Sequence, residues 1–346
     1  MKVARFYAPA DLRIEEVPDP EPGPGELLIR VRACGTCGTD VKILNFGHHH
    51  LVPPRVLGHE VTGEVEELGA GTKGFSRRDR VQLIAAIPCG ECFECRHRSM
   101  SICPNQESIG YHYDGGFAQW LVIPAKVLKV NGLNAITGST SFEEAAVTEP
   151  LACVLNGQQL ADVSAGDVVV VIGAGPIGCL HVRLARARGA SQVVLVERST
   201  ARLEMSAERV VPDAAIDTTK DDAVDAVLKL TQGRGADVII TAAASSRAQE
   251  EAIQMAARGG RISLFGGLPK DAPYIKLDSN LVHYRELRLV GANGSTPNQN
   301  AEALQMIAEG SVPVADLISD RFPLDRVHEA IESVRSGKSI KVMITP

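Results

Sequence analysis

The chain predicts an α/β protein of two domains, one barrel-like and antiparallel and one a doubly wound parallel sheet. Three observations predict it. Its 346 residues exceed what a single hydrophobic core commonly organises. Up to about residue 150, short strand-like runs alternate with Pro and Gly: ELLIRVRACG at 26–35, HEVTGEVEELG at 59–69, SRRDRVQLIAA at 76–86 and FAQWLVIP at 117–124. From residue 168 the pattern changes to strands alternating with helices, the signature of a parallel sheet.

Each element of that second region is readable in order. DVVVVIG at 167–173 is a continuous apolar run suited to a buried strand, PIGCLHVRLARARG at 176–189 a helix, and QVVLVE at 192–197 the next strand. ADVIITAAA, GRISLFGG and LRLVGAN follow, with the helical SRAQEEAIQMAARG between the first two. After residue 292 come two helical segments and a last strand, IKVMITP, for which the parallel sheet offers no partner.

Composition excludes several classes of function. Hydrophobic content of 45% and charged content of 23% are those of a soluble globular protein, so disorder is not expected. A net charge of −6 argues against nucleic-acid and membrane-surface partners, which favour basic patches. The first residues lack the apolar core of a signal peptide, and no later window suits a membrane span, so a cytoplasmic location is expected.

Gly173, Gly175 and Gly178 form G-x-G-x-x-G between the apolar strand and the helix opening at Pro176 and Ile177. The first glycine permits the tight turn, the second lets a pyrophosphate approach the backbone, and the third allows close helix–strand packing. The helix start offers unpaired N–H groups and the positive end of its dipole to phosphate. The motif alone is weak; the flanking strand and helix, and an acid, Glu197, closing the next strand, give it its proper context. Glu197 is placed to accept both ribose hydroxyls of NAD. Arg198 and Arg202 follow closely and keep NADP open, since arginines pair with a 2′-phosphate. Ala242 and Phe265, at the carboxyl ends of two further strands, are expected beside the same cofactor.

Two sets of residues suit metals. Cys89, Cys92, Cys95 and Cys103 read C-x2-C-x2-C-x7-C, and four thiolates in one loop match a closed structural zinc site. A redox pair would need only two. The second set is scattered: Cys37 in CGTCGTD, His59 and Glu60 in GHE, and Glu149 in TEP. A catalytic zinc needs S, N and O donors with one position open. Taken singly, these residues are equally consistent with a core histidine and a helix-start acid.

Together the motifs resemble the zinc-containing medium-chain alcohol dehydrogenases, and especially their polyol branch of sorbitol, butanediol and threonine dehydrogenases. The matching stretches are CGTCGTD, GHEVTGEVEELGAG, the four-cysteine loop, IGYHYDGGFAQW, TEPLACVLNG, VVVIGAGPIG and SGKSIKVMI, in order along nearly the whole chain. The resemblance implies a GroES-like barrel catalytic domain over 1–152 and 292–346, a Rossmann domain over 153–291, and a cleft between them for substrate and nicotinamide. It implies two zinc ions per chain. Cys37 and His59 match zinc ligands, Glu60 a residue that ligates directly in the polyol branch, and Glu149 one that reaches zinc directly or through water. Asp40 corresponds to an acid that orients the histidine, Thr39 to a relay hydroxyl beside the metal, and Lys341 to an arginine set against the pyrophosphate. One departure is Lys42, which stands where many relatives carry a relay histidine; charged lysine donates but cannot accept. A homodimer or tetramer is implied by the same likeness.

The expected substrate is a small polar alcohol: a polyol, sugar alcohol or sugar-derived secondary alcohol. Threonine-like, vicinal-diol and phosphorylated-polyol substrates remain open, as do a zinc-free quinone or enone reductase and a dinucleotide sensor without turnover. Phe46, His48, His49, His50, Tyr111, Phe117 and Trp120 lie in segments that border the pocket in such enzymes. The histidine run suits a phosphate or hydroxyl groups, or is simply an exposed loop.

Overall fold

A computed structural model describes all 346 residues. The chain divides into two compact units, Met1–Ala152 with Gly294–Pro346, and Cys153–Asn293. No helix is long and apolar enough to cross a membrane.

The first unit is built on antiparallel pairing. Strand Leu27–Gly35 lies at its centre, paired with Glu60–Leu68 on one side and with Trp120–Ile123 and the last strand, Lys341–Thr345, on the other. The final strand therefore finds its partners here: it runs parallel to Ile318–Pro323 and antiparallel to Cys34 and Gly35. A three-stranded sheet of Asp11–Glu16, Lys2–Ala8 and Arg55–Val56 packs with it. Alternate residues such as Leu27, Ile29 and Val31 turn inward onto Val61, Val65, Phe117 and Ile123, forming one buried core.

The second unit is a six-stranded parallel sheet. Counted along the chain from Val168–Ile172, its strands lie in the order third, second, first, fourth, fifth, sixth. The order reverses between the first strand and the fourth, Ala236–Thr241, which opens a crevice at their carboxyl ends. Val168–Ile172 is buried throughout, as a central strand covered on both faces must be. The LRLVGAN segment supplies Arg288–Gly291, which pairs only with Ala256–Leu264 and is a sheet edge.

Candidate metal centres and cofactor loop

The four-cysteine loop gathers its sulfurs by local geometry. Cys89 and Cys103 lie 3.6 Å apart, Cys92 and Cys103 3.8 Å, and Cys89 and Cys95 4.0 Å. Thiolates about 2.3 Å from a tetrahedral zinc would be separated by about 3.8 Å, so the set fits the ion. Backbone N–H groups of Glu91 and Cys92 aim at the Cys89 sulfur and pull its thiol down to about 6. Burial, with Cys92 beside it, pushes Cys95 up to about 12. Such crowded sulfurs all become thiolates only if a cation sits among them, which is a second reason the loop fits zinc.

The mixed set converges from distant parts of the first unit. Cys37 caps the helix Gly38–Phe46, while His59 and Glu60 open the strand Glu60–Leu68; their ligand atoms lie within 4.8 Å of one another. Sulfur, imidazole nitrogen and carboxylate oxygen are donors suited to a catalytic zinc. Asp40 holds both sides of this arrangement. Its Oδ2 accepts the Cys37 N–H at 2.8 Å, closing a capping box, and its Oδ1 faces His59 Nδ1 at 3.7 Å. That leaves Nε2 of His59 as the nitrogen that would face a metal. Glu149, half-buried in the first turn of the helix Thr148–Leu160, stays outside this close group, yet its charge is felt by His59, Glu60 and Lys341. Thr39 is half-buried one helical position from Gly38, and Lys42 is exposed.

Lys341 takes a place that sequence reasoning did not foresee. It is 3% exposed, donates from Nζ to the Thr36 carbonyl at 2.9 Å, and forms an ion pair with Glu60. Burial raises the Glu60 carboxyl to about 7 against the pull of Lys341 and His59. Gly35 is what makes room for the pair. A Cβ at that position would lie 1.9 Å from Glu60 Oε2 and 3.0 Å from Lys341 Cε. No local signal marks either role, because the three residues meet only through the pairing of the first, second and last long strands.

In the second unit, Gly173, Gly175 and Gly178 turn the chain from the first strand into the helix Pro176–Ala187. Gly178 has no alternative, since a Cβ there would lie 1.8 Å from the Gly173 carbonyl oxygen. Gly175, by contrast, faces open space. Pro176 and Ile177 occupy the first helical turn, half-buried, as an N-terminal proline prefers. Glu197 accepts three backbone N–H groups, from Ala174 at 2.8 Å, Arg198 at 2.8 Å and Ser199 at 2.9 Å, which fixes its carboxylate at the rim of the loop. Arg198 is exposed and Arg202 half-buried on the following helix. Ala242 adjoins Gly173, its carbonyl carbon 3.2 Å from where a Gly173 Cβ would be. Phe265 stands edge-on to His181 with ring centroids 4.7 Å apart. Of the residues expected around the pocket, Phe117 is instead buried in the core, Phe46 is 81% exposed, and Trp120 lies beneath the Arg30 guanidinium.

Comparison with known proteins matches residues 23–132 to the alcohol dehydrogenase GroES-like domain and residues 176–309 to the zinc-binding dehydrogenase domain. A sorbitol dehydrogenase of Halalkalibacterium halodurans is 30% identical, the alignment covering 96% of this chain and 95% of that protein. The chain belongs to the zinc-containing medium-chain alcohol dehydrogenases. An L-threonine 3-dehydrogenase of Pyrococcus horikoshii is 34% identical over 95% of this chain and 93% of its own length. Among solved structures, a zinc-binding dehydrogenase from Sinorhizobium meliloti 1021, bound to NADP, superimposes with a TM-score of 0.91 at 32% identity, covering 100% and 99% of the two chains. The chain is thus a zinc-dependent, nicotinamide-dependent alcohol dehydrogenase of the polyol-like branch, and the zinc-free reductase alternative falls away.

Proposed function

We propose that this alcohol dehydrogenase oxidises a secondary hydroxyl of a polyol, sugar alcohol or sugar-derived compound, with NAD as hydride acceptor. The observation that carries the reading is the convergence of Cys37, His59 and Glu60, with the charge of Glu149 acting on His59 and Glu60. Zinc bound there is a Lewis acid that brings the acidity of an alcohol towards neutrality. Asp40, facing Nδ1, keeps the His59 ring in the orientation suited to a ligand. The Thr39 hydroxyl, able to donate and accept, takes the substrate proton outward, a route that Lys42 at the exposed surface cannot serve. Lys341 balances the buried Glu60 carboxylate.

Preference for NAD rests on Glu197. Three amide donors hold its carboxylate in place at the loop rim, where it suits ribose hydroxyls and disfavours a 2′-phosphate. The exposed edge strand Arg288–Gly291 supports a homo-oligomer joined through that sheet.

A steady-state assay of zinc-loaded protein following NADH absorbance across a panel of polyols tests the reading. Turnover of at least one secondary alcohol, with NAD preferred over NADP, is expected. Full zinc occupancy and NAD binding without oxidation of any alcohol would instead make the chain a dinucleotide-binding sensor.

A further inference from the structure

One polar side chain beside the candidate zinc ligands has no task in the chemistry above. Tyr111 lies between the short strand Glu107–Ser108 and the strand Trp120–Ile123. Its ring centre is 6.3 Å from that of His59 and 4.8 Å from that of His48, which it meets edge-on. Tyrosine hydroxyls that are buried usually find a partner in the protein. The hydroxyl of this half-buried residue makes no hydrogen bond there and is not sealed in the core. It opens onto space that a bound molecule can enter.

The chain holds this tyrosine still. The segment that follows it is laced to the residues just before His59. Gly115 N–H donates to the Val56 carbonyl at 2.9 Å, Gly116 to Gly58 at 2.8 Å and Phe117 to Leu57 at 3.0 Å. The approach is so close that a Cβ on Gly115 would lie 2.2 Å from the Gly58 oxygen. On the other side, Ile109 N–H donates to Ala85 at 2.9 Å and Tyr111 N–H to Ser108 at 3.3 Å. Moving the ring away from His59 would break these bonds, so the hydroxyl is preorganised.

Its surroundings decide what it can recognise. Burial, with the charges of Asp40, Cys37 and Glu149, holds the phenol proton well beyond the ordinary range, so the group stays a neutral O–H that both donates and accepts. A second hydroxyl on the substrate matches it on both counts. Such a hydroxyl offers a proton and a lone pair, and it brings no further charge beside Asp40 and Glu149.

We infer that Tyr111 is a specificity-determining residue whose hydroxyl hydrogen-bonds a second substrate hydroxyl, on the carbon next to the one oxidised. The short separation of the Tyr111 and His59 rings is what limits the span to neighbouring carbons. The enzyme then takes vicinal diols in preference to simple secondary alcohols. The inference rests on the dehydrogenase reading above for the oxidised hydroxyl and on the tyrosine geometry for its neighbour.

A pair of alcohols that differ in that second hydroxyl alone, 2,3-butanediol and 2-butanol, tests it with the zinc-loaded enzyme and NAD. The diol is expected to exceed the mono-alcohol by about tenfold or more in kcat/KM, because a site built to bond a hydroxyl penalises the analogue that lacks it. In Tyr111→Phe, which keeps the ring, this ratio collapses towards unity, the diol losing most. Tyr113, two positions along, donates instead to Glu107 at 2.6 Å, and Tyr113→Phe retains the ratio. Calorimetric titration of the diol into the zinc-loaded enzyme–NADH complex, where no turnover occurs, is expected to show binding weakened by a similar factor in Tyr111→Phe. A wild-type ratio near unity, an equal loss for both alcohols in Tyr111→Phe, or diol binding unchanged by the substitution overturns the role of Tyr111 and leaves the dehydrogenase intact. Oxidation of neither alcohol nor of any other polyol overturns the dehydrogenase reading itself, while the calorimetric titration still decides Tyr111.

Discussion

The two candidate metal clusters of the first unit are assembled by opposite routes. In the cysteine loop every donor lies between Cys89 and Cys103, three of the four are half-buried, and the sulfurs stand near tetrahedral spacing through turns of the chain alone. At Cys37, His59 and Glu60 the donors come from a helix start and a strand start. They are held by Asp40 within that helix and by Lys341 from the last strand of the chain. The first arrangement is closed, all sulfur, and spends its donors on holding a loop. The second mixes donor types beside buried charges, a set suited to an ion with a position left for chemistry, and it depends on the whole unit.

Substitutions at each cluster probe the contrast, the largest effect coming first. Cys37→Ala is expected to lower kcat/KM by about 10³-fold or more while circular dichroism stays native and zinc analysis drops to one ion per chain. Undiminished turnover in that protein would remove the catalytic role of the mixed set. Lys341→Met leaves the buried Glu60 carboxylate without its paired cation, at a cost of about 3 kcal/mol in urea unfolding. An unchanged midpoint would mean that the ion pair does not organise the site. Cys95→Ser also loses one zinc, but its effect falls on stability. A melting temperature about 5 °C lower is expected, with most of the turnover per folded molecule kept. A loss of activity as deep as that of Cys37→Ala would erase the distinction between the clusters.

The smallest effect contrasts two buried histidines. Burial opposes the charged form of both, yet Asp40 and Cys37 outweigh it at His59, which is raised well above the ordinary range. His181 has no such partner. It packs between Gln158 and Phe265, and burial, with Arg188, lowers it to about 3. Because the unfolded chain binds a proton near pH 6.5 and the folded one does not, stability is complete above that pH and falls as the pH drops towards 3. The loss is roughly 1 kcal/mol by pH 5.5. His181→Gln should flatten this part of the profile in urea titrations at pH 7.0 and 5.5. A slope that persists in the variant would assign the acid sensitivity elsewhere.

Legibility in the sequence followed the range of the interactions involved. The alternation of strands and helices, the glycine loop and the four-cysteine spacing are short-range patterns, and each could be read from neighbouring residues. Glu197 was readable because a strand of known length carries it to the loop rim, where three amides hold it. Phe117, aromatic and near a pocket-bordering segment, looked like a pocket residue, but the Leu57–Gly58 backbone seats it in the core. Lys341 kept a positive charge suited to a phosphate, yet its carboxylate partner is nearly three hundred residues earlier in the chain.

The residue pattern alone determined that a doubly wound fold and a four-cysteine loop suited to zinc exist here, since each is specified by spacing and backbone geometry within one stretch. Tertiary structure decided which residues share the catalytic neighbourhood. The closing strand brings Lys341 onto Glu60, and Gly35 leaves space for both. Burial, charge balance and tautomer are properties of surroundings assembled from distant segments, and no local pattern encodes them.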